Sequence, residues 1–335
     1  MKTPYPSVAV VILNYNGKHW LENFLPSVVA HSPNAQIVVA DNASTDDSII
    51  FLESNFPQVH LINLDKNYGF CLGYNKALAQ IEAKYYILLN SDVEVTPNWA
   101  DSLVLLMETD SNLVICQPKI KAFHQKTHFE YAGAAGGFMD KWGYAFCRGR
   151  IFDTLEEDKG QYNQNMPIHW ATGACMCVRA DWWHKLVGFD ENFFAHFEEI
   201  DFGWRVLNEG GKIMYCSSSE VFHVGGGTLH KSNPRKTFLN YRNNLATLYK
   251  NAPLFTLIWL IPLRLILDGA SGVLFLKKGE LSNIWAIIKA HFNFYGWVLS
   301  GKLKRSKKPK THFFKKSVVW QYYAKGKKIF SELEK

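Results

Sequence analysis

Hydrophobic runs recur along the first half of the chain, spaced so that a helix fits between each pair. "SVAVVILN" (7–14) is apolar almost throughout and predicts a strand, and "HWLENFLPSVVAHS" behind it has helical spacing. "QIVVAD" (36–41), "VHLINL" (59–64), "YYILLN" (85–90) and "NLVICQP" (112–118) repeat the strand pattern. Between them lie "STDDSIIFLESNF", with a Ser/Thr cap and an acidic first turn, then "GFCLGYNKALAQI", then a helix begun by Pro97. Strands that are apolar on both faces and alternate with helices predict an α/β fold, a mostly parallel sheet flanked by helices. Residues 120–168 are rich in glycine and aromatics without a period and read as an insertion facing the ligand edge. From 169 the chain predicts a strand, a short helix, a loop, and a helix from about Phe197 to Asn208 ended by Gly210–Gly211.

Ligands of open α/β sheets sit beyond the carboxyl ends of the strands. Polar residues occupy those ends here: Asn14, Asp41, Asn67 with Gly69, and Asp92 in "YYILLNSDVEV". One terminal Asp is an ordinary turn residue. Four polar ends on one edge predict a site. No GxGxxG or GxxxxGK[ST] follows the first strand, which weakens dinucleotide-binding and P-loop readings.

A second cluster lies in "FEEIDFGWR", where Glu198, Glu199 and Asp201 open a helix. The helix dipole favours one or two acids there. Their neighbours Phe193, Phe194, Phe197, Phe202 and Trp204 are apolar, and such surroundings raise a carboxyl pKa toward the range of a general base. In "VFHVGGGTLHK", His223 ends a short strand before three glycines, which imply a mobile loop and make it a candidate metal ligand beside Asp92. Carboxylate oxygens plus one imidazole suit Mn²⁺ or Mg²⁺ better than a tight zinc site.

Composition narrows the classes. The 335 residues are 47% hydrophobic and 20% charged, as in a globular chain long enough for one large domain and an appendage. Six cysteines show no CxxC spacing, so reduced thiols in a cytoplasmic protein are expected. The run Val8–Leu13 is too short for a signal peptide's apolar core. Residues 301–335 carry 12 Lys/Arg against two Glu, so the net +7 belongs to the tail and residues 1–300 sum to −3. That split disfavours a nucleic-acid surface. A non-catalytic binder of nucleotide-sugar or nucleic acid with a basic tail stays as an alternative, as does a nucleotidyltransferase.

Assembled, these motifs resemble the family 2 glycosyltransferases of the GT-A fold, in particular the bacterial rhamnosyltransferase-like branch. The resemblance runs from residue 7 to about 250, through "VVILNYNG", "VVADNASTD", "NYGFCLGYN", "LLNSD", "TGACMCVRADWWHKLVGFDENFFAHFEEIDFGWR" and "YRNNLATLYK". It implies that Asp41 contacts the nucleobase and that Asn67, Gly69, Gly73 and Asn75 line the nucleotide, with Asn14 at the opening strand. In the D-x-D motif it implies Asp92 as metal ligand and Asn90, in place of the first acid, on the ribose. It further implies Glu199 as base with Glu198 and Asp201 beside it, His223 as late metal ligand and Arg242 on the diphosphate. The activity implied is inverting, Mn- or Mg-dependent transfer from a UDP- or dTDP-sugar to a hydroxyl of a saccharide acceptor. A lipid-linked acceptor of bacterial surface polysaccharide synthesis is expected, and no nucleic acid.

The chain therefore divides into a catalytic domain, 1–250, and a helical region with a basic tail, 251–335. "PLFTLIWLIPLRLILDGASGVLFL" (253–276) is about long enough to span a bilayer, but Pro262, Arg264, Asp268 and Gly269 interrupt it. Arg264 and Asp268, four apart, are spaced to pair on one helix face. A helical hairpin lying in or on the membrane is expected, with the aromatic and basic run behind it at an anionic surface. The competing expectation packs 253–300 on the catalytic domain and leaves the tail disordered. Location follows: peripheral or monotopic on the inner face of the cell membrane.

Overall fold

Each apolar run of the first half becomes a sheet strand, and the helices between them cover it. The computed structural model describes residues 7–225 and 233–334. In chain order come β1 (Val8–Asn14), α1 (Lys18–His31), β2 (Gln36–Asp41), α2 (Ser48–Asn55), β3 (His60–Asn63), α3 (Gly69–Leu78), β4 (Tyr85–Leu89), β5 (Val93–Val95) and α4 (Trp99–Glu108). β6 (Leu113–Ala122) and β7 (Gln125–Phe129) follow, then the short strands β8 (Gly137–Met139), β9 (Ala145–Cys147), β10 (Arg150–Ile151), β11 (Thr154–Leu155) and β12 (Met166–Pro167). The sheet-forming part of the chain closes with β13 (Cys175–Arg179), α5 (Ala180–Lys185), α6 (Glu198–Asn208) and β14 (Lys212–His223).

The main sheet has the order β12-β14-β6-β13-β4-β1-β2-β3, with β5 on β14 and β7 on β6. β1 runs parallel to β2 and β4, with Val11 opposite Val38 and Leu88. β13 is inserted antiparallel between β4 and β6, so Gly173–Ala174 before it lie at the edge where β1, β2 and β4 end, and β5, β7 and β12 add antiparallel pairs at the other side of the sheet. Alternate residues of β1 serve two cores: Val8, Val10 and Ile12 pack toward α1, and Ala9 and Val11 toward α3. At about 1.5–3 kcal/mol per fully buried aliphatic side chain, these apolar runs hold the sheet against both helix layers.

The stretch expected only as an insertion makes a second sheet, β11-β10-β9-β8. It passes the ligand edge at Glu130 and then turns away, to lie against α7 (Pro234–Asn251) and α8 (Leu254–Lys277): the Gly143 carbonyl accepts from Asn244 and Arg264. α9 (Leu281–Leu299) packs on α7 and α8, and the chain ends in α10 (Phe330–Glu334). The basic tail is ordered. It runs back over the first two thirds of the chain, where the Trp204 indole donates to the Lys310 carbonyl at 2.9 Å and the Val318 N–H to Asp140 at 2.7 Å. Phe330 and Leu333 are buried.

Within α8 the usual arrangement is inverted. Arg264 and Asp268 are buried, paired at 3.1 Å, and Asp268 also meets His291 of α9 at 3.0 Å. Leu257 and Leu260 pack inward, but many of its apolar side chains face outward, Phe255 82% and Ile258 72% exposed. Among the described residues α8 is the one helix long and apolar enough to cross a membrane.

Candidate functional site

The strand ends form a polar rim. The Asn14 amide donates to Asp41 at 2.9 Å and to the Ser44 hydroxyl at 3.2 Å. Asp41 also accepts from the Ser44 N–H at 2.7 Å, while the carbonyl oxygen of the buried Asn14 side chain has no partner. Asn42, which the sequence reading missed, donates to Asn67 and to the Gly69 carbonyl and accepts from the Tyr68 N–H. Asn67 caps the Gly69 N–H at 2.8 Å. Gly69 stands at φ +73°, and a Cβ there would fall 2.7 Å from the Phe194 ring, so both conformation and space demand glycine.

Beyond β4, Asp92 and His223 meet. Nε2 of His223 lies 3.2 Å from Asp92, and the Val224 N–H donates to the Asp92 carbonyl. The contact follows from pairing β14 with β5, which sets His223 opposite Val93. Glu130, invisible to motif reading, reaches the other edge of the imidazole, 3.4 Å from Nδ1. Burial would lower the His223 pKa, but the two carboxylates outweigh it and lift it to about 10. Burial would raise Asp92 and Glu130; the imidazole holds both below the usual carboxylate range. Because the carboxylates flank opposite ring edges, no three such side chains converge into a cation cage among the described residues. Asp92 and Nε2 would give Mn²⁺ or Mg²⁺ one oxygen and one nitrogen, of types that suit these ions, only once the imidazole has given up the proton it shares with Asp92. Gly225 is described and the rest of the glycine run, 226–227, is not.

The carboxylates of α6 approach the same edge from the far side. A methyl on Gly173 would stand 3.8 Å from a Glu198 oxygen, and the next carbonyl, of Ala174, accepts from the Asn90 N–H. Glu198 and Glu199 each keep one buried oxygen without a partner. Burial pushes both carboxyls up, Glu198 furthest because Glu199 adds its charge, and Glu199 to about 7. The loop before them carries Phe194, His196 and Phe197 at φ +66° to +70°, an unfavourable backbone for such side chains. It is held by Asn243, whose amide donates to the carbonyls of Phe193, Ala195 and His196.

The structure places four other residues expected at the site in contacts within the fold. Asp201 is fully buried and bound by Lys250, Arg205 and Asn251, each at 2.8 Å; those cations outweigh burial and hold it low. It faces α7, because two residues along a helix rotate a side chain by about 200° from Glu199. Asn75 exchanges both its amide bonds with Phe189 and clasps the loop after α5. Gly73 allows α3 to approach β1: a Cβ would sit 2.9 Å from Leu13. Arg242 is buried between Phe238 and Trp297 and donates to the carbonyls of Asn192 and Phe193, so it braces the loop that precedes α6.

A mostly parallel sheet carrying an amide–carboxylate rim, an Asp–His pair and two unpaired glutamates at one edge is the framework of an α/β transferase. Residues 9–185, over half the chain, match the profile of glycosyl transferase family 2, and the chain belongs to that family. It is 25% identical over 282 residues to N-acetylglucosaminyl-diphospho-decaprenol L-rhamnosyltransferase of Mycobacterium tuberculosis, covering 78% of this chain and 89% of that one. The fold is shared with GalNAc-T7 solved with UDP, GalNAc and Mn²⁺ (TM-score 0.57, 17% identity, 76% of this chain), of which it spans about half, 49%. It is shared too with the mannosyltransferase PcManGT of Pyrobaculum calidifontis, solved with GDP-Man and Mn²⁺ (TM-score 0.53, 12% identity, 88% of each chain). The GT-A architecture and glycosyltransferase class expected from the sequence hold.

Proposed function

We propose that this glycosyltransferase moves a sugar, with inversion, from a UDP- or dTDP-sugar to a hydroxyl of a lipid-linked saccharide on a membrane surface. The observation that carries the reading is the Asp92–His223 contact, on the same sheet edge as the Asn14–Asp41 rim. Asn14, Asp41, Asn67 and Asn90 receive the nucleoside, a polar group suited to polar strand ends. Asp92 and His223 would hold a divalent ion, which when bound neutralises the charge of the departing diphosphate. Glu130 steers the imidazole from behind. Glu199, with a raised pKa and a free oxygen, takes the proton of the attacking hydroxyl as the acceptor oxygen bonds to the anomeric carbon. Asp201 holds α6 in place and plays no chemical part.

The acceptor follows from two supports. A relative of similar length is named for a diphospho-decaprenol substrate. The hairpin α8–α9 presents apolar side chains outward around a buried Arg264–Asp268–His291 network, as a surface dipping into lipid would. On this reading 1–250 is the catalytic unit and 251–335 the membrane-facing one. The test is turnover of dTDP-rhamnose and UDP-sugars on N-acetylglucosaminyl-diphospho-polyprenol, with Mn²⁺ and with chelator. Transfer that a chelator abolishes supports the reading; transfer only to soluble sugars, or equal rates in chelator, overturns the corresponding half.

A further inference from the structure

An open groove between the start of α7 and α9 has no role in what precedes. Two contiguous cavities form it, of about 310 and 520 Å³, sharing Phe238, Trp285 and Lys289. Its floor is apolar, with Trp285 57% and Phe292 74% exposed beside Ile288. Arg235 lines one end and Lys289 both cavities, and no acidic residue lines either. Among the described residues neither cation forms a salt bridge, so a dianion set between them would meet no competing carboxylate. The groove also leads to the site. The Arg235 guanidinium stacks on the Phe194 ring, 4.9 Å from its centre, and that ring lies against Gly69 at the nucleotide rim. Its other end is lined by Ile288 and Phe292, exposed apolar side chains of α9 in the hairpin.

We propose that this groove binds the isoprenoid diphosphate of the acceptor, the diphosphate between Arg235 and Lys289 and the hydrocarbon along Phe238, Trp285, Ile288 and Phe292. It rests on the lipid-linked acceptor for its biological meaning, and on the groove's own chemistry for its ligand. Aromatic walls take the unsaturated chain, two cations take the diphosphate, and Phe194 passes the attached sugar toward Glu199. A bulk anionic membrane would use the exposed lysines of the tail equally and need no groove.

Titration of farnesyl diphosphate into the full chain in detergent tests it, with farnesol, inorganic diphosphate and phosphatidylglycerol micelles as separate arms. Farnesyl diphosphate is expected to bind at least tenfold tighter than any other arm. The double variant Arg235→Ala/Lys289→Ala should weaken it at least tenfold, and Trp285→Ala severalfold, with thermal midpoints unchanged as the check on folding. Binding no tighter than phosphatidylglycerol, or full affinity in the double variant, overturns the proposal. Farnesyl diphosphate binding without transfer to a lipid-linked sugar would leave the groove standing and remove the acceptor reading instead.

Discussion

Glu199→Gln separates catalysis from stability, because the structure predicts opposite signs for the two. The side chain keeps its shape and loses its charge. As base, Glu199 is expected to contribute about 10²–10⁴ in rate, so kcat should fall by that factor, about 3–5 kcal/mol of barrier. In the folded protein the carboxyl ionises near 7 instead of its ordinary 4.5, since burial penalises the charge more than the helix-end N–H groups favour it. A raised acid pKa means the unfolded chain loses this proton first. Stability from this group is intact below about 4.5 and drains away as pH climbs toward about 7. At about 1.4 kcal/mol per unit the full loss is about 3 kcal/mol, of which the unpaired amide of Gln returns about half, leaving a gain of about 1–2 kcal/mol. With unfolding entropy of about 2.1 cal/mol/K per residue over the whole chain, that raises the melting midpoint by about 1–3 °C at pH about 8 and lowers it by about 2 °C at pH about 4, where only the cost of the amide remains. Differential scanning fluorimetry across pH, beside single-turnover transfer rates, reads both. An active variant, or one whose midpoint falls as pH rises relative to wild type, refutes the assignment. The same carboxyl gives wild-type kcat/KM an acidic limb near pH 7 that the variant lacks.

Asp201→Asn should do the reverse. Leaving Lys250 and Arg205 facing a neutral amide costs about 3 kcal/mol, the lower end for a broken buried pair because Lys250 keeps Asp190 at 2.6 Å, and the midpoint drops by about 4 °C by thermal melt. An unchanged midpoint with lost activity would return Asp201 to the chemistry. Asn243→Ala removes the amide that pins three strained loop carbonyls; a loss of about 1–3 kcal/mol is expected with kcat falling about tenfold and donor KM unmoved, by melt and steady-state kinetics. Phe255→Ser/Ile258→Ser on the outward face of α8 should release the protein from sedimenting liposomes without a change in midpoint; retention on liposomes would remove α8 from the membrane contact.

What the chain order alone determined is everything that depends on neighbours. Val8–Leu13 or Tyr85–Leu89 is apolar on both sides whatever surrounds it, and a strand of that kind is stable only between two helix layers, so the parallel sheet and its polar rim at Asn14, Asp41 and Asp92 were legible. The antiparallel entry of β13, the second sheet in 120–168 and the return of the tail were not: β13 pairs with β4 and β6 far back in the chain, the tail reaches Asp140, and the strands of the second sheet are only two or three residues long, too short to show a period. Long-range packing also sorted the acids of α6. Glu198, Glu199 and Asp201 look alike in "FEEID", yet Lys250, forty-nine residues on, neutralises one and leaves the others unpaired. Glu130 carries no motif and joins His223 only because β6, β7 and β14 lie side by side. Periodicity fixes which residues are buried together; only the fold decides what charge each buried group meets.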